Sequence, residues 1–362
     1  MHPPATPFSP RHVFPWAVVL IFYGALALLA VYMPLFHLDT HLPGNPTTDY
    51  YHFHWNFWWL RHALTNGLPI YETAHVLAPF TSNLSYHTLT PFWFPLWAAL
   101  EPLAGTVTAM TAVFIAAFTL NGLFFHLLLH NERVNHGLAL VGGAMLALSP
   151  IFFTALYWTN INLMNWFWIP ALLLIWRQVI AAPTQRAALT WAGILAVSLW
   201  AMVLSDLQYP LFAGFVVVPY GLWTLWQADA STRLRAVGCG IGAVMGALAL
   251  LWIVGPLPYL LEYDTGTLNP TPVENAIAVD MPGGYLWRTD PGGDDVSFGG
   301  VFIPLLIVAL AVRAWNGPTS TPDDRRFMPP AFFWLAVSAP PLWLAAGPQL
   351  PVFYDLLHDL LG

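Results

Sequence analysis

Residues Val107–His130 read VTAMTAVFIAAFTLNGLFFHLLLH and contain no Asp, Glu, Lys or Arg. An α-helix needs about 20 consecutive apolar residues to cross the hydrocarbon core of a bilayer, which is roughly 30 Å thick. This segment is therefore predicted to be a transmembrane helix, and it decides the class of fold.

Eight other segments show the same apolar character, and together they predict an all-α, polytopic transmembrane helical bundle. We treat residues 1–362 as a single integral membrane domain. The first segment has a long apolar run and no small-residue cleavage site after it, so we expect a retained helix rather than a signal peptide. The nine predicted spans are Val13–Phe36, Val107–His130, Gly137–Tyr157, Leu163–Ile180, Ala188–Ser205, Tyr209–Gln227, Val237–Leu260, Phe298–Trp315 and Pro330–Ala346.

The composition supports the same class. Hydrophobic residues make up 57% of the chain and charged residues only 8%, against about 25% charged residues in soluble domains. A cytosolic enzyme, a nucleic-acid-binding protein and a disordered protein are therefore excluded, and membrane lipids are the expected surroundings. The chain has no Lys for a Schiff base and only one cysteine, Cys239, so it forms no intrachain disulfide.

The arginines indicate the orientation. With a cytoplasmic N-terminus, nine of the 11 basic residues fall on the inner side and only Arg61 and Arg288 fall outside, as the positive-inside rule requires. Two long extracytoplasmic loops result, residues 37–106 and residues 261–297. Long loops in compact proteins are usually functional or disordered, and the first is too aromatic for disorder, so we expect the chemistry on the outer face.

The first of these loops is predicted to contain a helix that begins after Asp49, which could cap it. Residues at i, i+4, i+7 and i+11 of this helix form an apolar stripe suited to the membrane interface: Phe53, Phe57, Leu60 and Leu64. A second face carries Trp55, Trp58, Trp59 and His62. Downstream, Pro91–Leu103 is apolar but too short to span, and it is predicted to be re-entrant or interfacial.

Several motifs of the N-terminal half resemble those of bacterial GT-C-like membrane glycosyltransferases, which are predicted to use polyprenyl-phosphate sugars. The motifs are Gly44–Asp49, Trp55–Trp59, His62–Leu64, Leu68–Tyr71, Ser82–Pro91, Ala147–Pro150 and Asn160–Leu163. The resemblance implies a multi-pass protein of the bacterial inner membrane that moves a sugar from a lipid-linked donor to an acceptor on the extracytoplasmic face.

The resemblance also assigns Asp49 the role that an acid of this loop plays in the GT-C fold, as a base or metal ligand. The chain departs from the family pattern because the loop has no Asp-x-Asp pair or Asp-Glu dipeptide. Members of the family also usually continue beyond the point that corresponds to Gly362, which implies a shortened C-terminal part.

The expected chemistry needs a base for the acceptor hydroxyl and stabilisation of the departing phosphate. Asp49 is the candidate base, and its alternative role is that of a helix cap alone. Arg61, Arg288 or a bound divalent cation could stabilise the phosphate. Trp55 and Trp58 either stack on the sugar or belong to an interfacial aromatic belt.

Four further polar residues are candidates for substrate binding. Asn160 and Asn162, at the outer start of a helix, either satisfy loop backbone groups or line a cleft beside Asp49. Asp206, in a turn close to hydrocarbon, is either functional or part of a surface turn. Glu262 leaves a helix toward the same face and could complete an acidic site. No metal site is predicted from the spacing of ligand residues.

The alternative function is that of a non-catalytic integral subunit of a larger respiratory or photosynthetic membrane complex. It is based on the missing Asp pair, on the expected shortening of the C-terminal part, and on His126 and His130. These two histidines are four residues apart on one helix face and could hold a cofactor. Interfacial anchoring explains the same pair. A transporter is disfavoured because the sequence shows no internal repeat and places few charges within the predicted spans.

Overall fold

The computed structural model describes residues 10–37, 51–132, 134–262, 333–334 and 336–337, and these are predominantly helical. The helices are α1 (Pro10–Ala30), α2 (Tyr32–Leu35), α3 (His52–Asn66), α4 (Phe94–Asn131), α5 (His136–Ala147), α6 (Pro150–Tyr157), α7 (Trp168–Ala181), α8 (Gln185–Ser205), α9 (Tyr209–Gln227), α10 (Ala230–Val254) and α11 (Leu257–Glu262), with a 3-10 turn at Ile161–Met164. Two short strands, β1 (Glu72–Thr73) and β2 (Ser82–Asn83), pair antiparallel, with Glu72 opposite Asn83.

Within these ranges, six helical segments are long and apolar enough to cross a membrane. They are Phe94–Asn131, His136–Tyr157, Ile161–Ala181, Gln185–Ser205, Tyr209–Gln227 and Ala230–Val254. Large apolar side chains on their outer surfaces are exposed, such as Leu222, Ile241 and Ile253. Such a surface is suited to lipid and not to water, so the chain has the character of a multi-pass membrane protein.

The six segments correspond to six of the nine predicted spans. The first predicted span is represented by α1, of which Trp16–Ala30 is a shorter apolar helix. The predicted span Phe298–Trp315 lies outside the described residues, and so does Pro330–Ala346 apart from Phe333, Trp334, Ala336 and Val337. The span count of nine therefore stays a prediction.

The predicted span Val237–Leu260 was placed too late at both ends, because the helix runs from Ala230 to Val254. Its start is set by Asp229, which caps it and accepts hydrogen bonds from the backbone N–H of Thr232 at 3.0 Å and from the hydroxyl of Ser231 at 2.7 Å. These bonds hold the pKa of the exposed Asp229 carboxyl well below its usual value. Arg233, taken for a loop residue, lies in the helix, and its Nε donates to the carbonyl of Leu225 near the end of α9.

The long helix α4 has a break at Gly105, where φ is 80° and ψ is 164°. Only glycine adopts this backbone conformation without strain. The break separates the segment predicted as re-entrant or interfacial, Pro91–Leu103, from the predicted span Val107–His130. Both segments are helical, and the first is too short to span by itself.

The chain divides into two compact units. Unit 1 comprises Met1–Leu68 and Leu89–Leu174, and unit 2 comprises Pro69–Thr88 and Ile175–Gly362. In unit 1, helices α1, α4 and α5 pack around the buried Tyr23, whose ring lies directly against Gly122 of α4 and Gly143 of α5. Small residues at a helix crossing allow such a close approach in membranes.

In unit 2, α8 and α10 pack through small side chains. A Cβ atom at Gly246 of α10 would lie 3.2 Å from the Cβ of Ala196 in α8, and both helices bury further alanines, Ala192 in α8 and Ala243 and Ala247 in α10. A second contact ties α7 to α9, where the indole Nε1 of Trp176 donates to Oγ1 of Thr224 at 2.8 Å. Close packing and interhelical hydrogen bonds are the forces expected to hold helices together in lipid.

Candidate functional site

The helix α3 of the first outer loop lies against α4 through its apolar stripe. Phe53, Phe57 and Leu60 are fully buried, and the ring of Phe57 lies 5.5 Å from that of Trp97 in α4. The stripe therefore packs against protein, not in the membrane interface as its spacing suggested. Only Leu64, the last residue of the stripe, is exposed.

The guanidinium of Arg61 strengthens the contact between α3 and α4. It forms an ion pair with Glu101, donates to the carbonyl oxygen of Ala98 at 3.2 Å and lies 4.6 Å from the ring centroid of Trp97. An Arg over an indole face gains a cation–π attraction in addition to the ion pair. The charge of Arg61 is thus compensated within unit 1, and Glu101 is a partner that the sequence analysis did not identify.

The other face of α3 carries two aromatic stacks. Trp55 and Trp59 stack with their ring centroids 6.1 Å apart, and Trp58 stacks on His62 at 5.2 Å. Trp59 is buried and Trp55 is half-buried, whereas 45% of Trp58 is exposed. The stack of Trp58 on His62 therefore presents an exposed, rigid aromatic surface on an anchored helix.

His54 lies beside the break in α4. Its Nδ1 is 3.3 Å from Oγ1 of Thr106, the residue after Gly105. Burial lowers the pKa of His54 to about 4, so the imidazole is neutral near pH 7. A neutral imidazole has one donor and one acceptor nitrogen, which suits the contact with a hydroxyl.

The start of α3 differs from the prediction. The helix begins at His52 with Tyr51 in the N-cap position, and no side chain caps it there. Asp49 was predicted to occupy that position. Asp49 lies outside the described residues, as do Asp39 and Arg288, so the proposed roles of these residues stay predictions.

The turn that contains Asn160 and Asn162 is held by Asn165. Its amide nitrogen donates to the carbonyl of Asn162 at 2.9 Å, and its oxygen accepts from Nε1 of Trp93 at 2.7 Å. Asn162 is buried and Asn160 is half-buried. Asn162 takes part in this turn through its backbone carbonyl, and Asn165 was not identified from the sequence.

Two threonines of unit 1 have left-handed backbone conformations, with φ of 51° at Thr90 and 62° at Thr159. Both are buried, and a β-branched residue with positive φ is strained. Strain of this kind tends to occur at functional positions. Thr159 directly precedes Asn160, and Thr90 is followed by the segment that leads into α4.

The other two predicted residues belong to unit 2. Asp206 ends α8, is only 6% exposed, and its Oδ1 accepts from the backbone N–H of Gln208 at 2.8 Å. It therefore forms the predicted turn, as a buried carboxylate. Glu262 is the exposed last residue of α11, and the rest of the predicted loop 261–297 beyond it lies outside the described residues.

The histidines that suggested a cofactor lie close together in unit 1. The ring centroids of His126, His130 and His136 are 4.0 to 6.4 Å apart, and the indole of Trp16 is edge-on to all three. Nδ1 of the buried His126 lies 3.3 Å from the hydroxyl of Tyr23. Within the described part of the chain, no group of three or more His, Cys, Asp or Glu is placed to hold a metal ion.

Five of the predicted residues therefore lie in unit 1, namely Trp55, Trp58, Arg61, Asn160 and Asn162, and two lie in unit 2, namely Asp206 and Glu262. Comparison of the whole chain with family models, with curated proteins and with solved structures gives no match.

Proposed function

We propose that the chain is a GT-C-like glycosyltransferase of the bacterial inner membrane that moves a sugar from a lipid-linked donor to an acceptor on the extracytoplasmic face. The observation that carries the proposal is the exposed Trp58–His62 stack on α3. A flat aromatic surface is suited to the apolar face of a sugar ring, because it buries C–H groups and leaves the hydroxyls free.

The anchoring of α3 supports this role. A binding group must be held within a fraction of an ångström of its working position, and α3 is fixed by buried aromatic contacts and by the Arg61–Glu101 pair. Since Glu101 compensates its charge, we assign Arg61 to holding α3. Stabilisation of the departing phosphate then falls to Arg288 or to a bound divalent cation, and Asp49 takes the proton of the acceptor hydroxyl.

The proposal is tested with full-length protein in nanodiscs and radiolabelled polyprenyl-phosphate-linked monosaccharides. We expect wild-type protein to bind a donor of this class, and Trp58→Ala to weaken binding by about 2- to 10-fold, the usual value of one aromatic contact. Trp226→Ala is the control, because Trp226 is also an exposed indole, near the end of α9 and outside the first outer loop. Absence of donor binding to the wild type, or equal losses in both variants, would contradict the proposal.

The second candidate is a non-catalytic subunit of a larger membrane complex. It is favoured by the cluster of His126, His130 and His136 beside Trp16, an arrangement that sugar transfer does not use. Purification under mild detergent separates the two functions. Recovery in fixed stoichiometry with cofactor-bearing proteins supports the subunit, whereas a single polypeptide with bound polyprenyl lipid supports the enzyme.

A further inference from the structure

A polar cluster in unit 2 joins the β-hairpin of the first outer loop to helix α11. The side-chain amide of Asn83 in β2 donates to the carbonyl oxygen of Tyr259 in α11 at 2.9 Å, and the rings of Tyr71 and Tyr259 are 5.5 Å apart. Asn83 Oδ1 also accepts from the backbone N–H of Ser85 at 2.8 Å. Residues far apart in sequence are thus fixed against each other by specific bonds.

Two carboxylates border this cluster. Glu72 is directly opposite Asn83 in the strand pair, so their side chains lie on the same face of the hairpin. Glu262 ends α11, one turn after Tyr259. Burial raises the pKa of the Tyr259 hydroxyl, and the charges of Glu72 and Glu262 raise it further. The two carboxylates therefore lie near one phenol, from two different elements.

Tyr71 adds an unused hydrogen-bonding group at the same place. Only 4% of Tyr71 is exposed, and its hydroxyl has no hydrogen-bond partner among the residues that the structure describes. Burial and the neighbouring Tyr259 both raise the pKa of this hydroxyl. A buried hydroxyl without a partner costs free energy, about 1–3 kcal/mol in typical cases, so its presence needs a reason.

The charge of the cluster restricts the ligand. Within the described ranges neither Glu72 nor Glu262 forms an ion pair, so two negative charges would repel a phosphate or another anion. A metal ion is also disfavoured, because no group of three or more ligand residues is placed for one in the described part of the chain. A neutral ligand rich in hydroxyl groups fits best, since carboxylates and phenols are hydrogen-bond partners of hydroxyls.

We infer that Tyr71, Glu72, Tyr259 and Glu262 form a binding site for a neutral sugar, the acceptor of the transfer reaction. The inference deepens the proposed function and rests on it for the role of acceptor. The two carboxylates accept hydrogen bonds from sugar hydroxyls, the Tyr259 ring packs on the sugar, and the Tyr71 hydroxyl supplies a further donor or acceptor.

The test measures binding of a panel of methyl glycosides (glucoside, galactoside, mannoside and N-acetylglucosaminide) to the full chain by saturation-transfer NMR. Tyr71→Phe is the most informative variant, because the hydroxyl that it removes has no described partner to lose and folding should be unaffected. We expect a 3- to 10-fold weaker interaction for Tyr71→Phe and about 10-fold for Glu72→Gln or Glu262→Gln. Tyr86→Phe, which removes the hydroxyl of a largely exposed tyrosine of the same segment, is the control and should bind as the wild type does.

The outcomes separate this inference from the proposed function. Donor binding together with absence of glycoside binding, or glycoside binding that is equal in Tyr71→Phe and Tyr86→Phe, would overturn the inference and leave the transferase proposal intact. Glycoside binding that is selectively weakened by the three cluster variants supports the site. If the same protein binds no lipid-linked donor, the sugar site stands and the transferase proposal fails.

Discussion

Single side chains determine which chemistry the outer loop can perform, and Asp49 is the residue on which the proposed reaction depends. Asparagine caps a helix about as well as aspartate does, so Asp49→Asn should leave the unfolding temperature unchanged. It should lower sugar transfer by about 10²–10⁴-fold, the usual contribution of a positioned base. The measurement is transfer from a polyprenyl-phosphate sugar in proteoliposomes.

The matched control for this variant is Asp39→Asn, which removes a carboxylate of the same loop outside the motif Gly44–Asp49. We expect a milder effect on transfer. Full activity of Asp49→Asn would remove the base from the mechanism and would favour the membrane-subunit function.

The lowered pKa of His54 predicts how the stability of the protein depends on pH. Burial lowers its pKa to about 4 in the folded protein, whereas the unfolded chain protonates this side chain near pH 6.5. Stability is therefore full above pH 6.5 and declines as the pH falls toward 4, by on the order of 3 kcal/mol at most. Thermal unfolding of wild type and His54→Asn in detergent should show a smaller loss between pH 6.5 and 4 for the variant. Parallel profiles would mean that His54 is not the group responsible.

Among the elements, the crossing of α1, α4 and α5 depends on two glycines. A Cβ atom at position 143 would meet the hydroxyl of Tyr23 and would lie 2.5 Å from the backbone oxygen of Gly122. Backbone cannot move aside as a flexible side chain can, so we expect Gly143→Ala to destabilise the protein by about 1–3 kcal/mol.

Gly24→Ala is the control for this crossing, because it lies on α1 next to Tyr23 and its Cβ would meet nothing within 4 Å. Alanine is the better helix former, so Gly24→Ala should be neutral or stabilising by up to about 1 kcal/mol. Chemical denaturation in mild detergent compares the two variants. Equal stability of both would show that α1, α4 and α5 do not pack as described.

The elements also show what the sequence could and could not predict. The bounds Tyr209–Gln227 of α9 were predicted correctly, since an apolar run with Pro210 in its first turn marks a helix start. The start of α10 was missed because Arg233 and Arg235 were read as loop residues, although the Asp229 cap precedes them. Local signals such as a cap or an N-terminal proline can be read from the sequence. Hydrogen bonds such as Trp93–Asn165 cannot, because they join residues 72 positions apart.

The candidate site follows the same rule. Trp58 and Arg61 could be selected because they belong to one helix whose periodicity is visible in the sequence. Glu101 and Tyr71 could not be selected from the sequence, because each matters through a neighbour from another element. The neighbour of Glu101 is Arg61 of α3, and the neighbour of Tyr71 is Tyr259 of α11. The sequence hinted at Glu101 only by making it the single acidic residue of the short apolar segment Pro91–Leu103.

For the molecule as a whole, the orientation in the membrane is the property that the proposed chemistry requires, and α9 offers a direct test. Gln208 and Ala230 are both exposed and lie just beyond its two ends, so a helix of this length and apolarity should place them on opposite sides of the bilayer. Single cysteines at these positions, in a Cys239→Ala background, are labelled in intact cells with a membrane-impermeant maleimide. The arginine distribution predicts labelling of Gln208→Cys from outside and of Ala230→Cys only after permeabilisation. The reverse pattern would place the loop that carries Trp58 in the cytoplasm and exclude extracytoplasmic transfer, and labelling of both from one side would show that α9 does not cross the membrane.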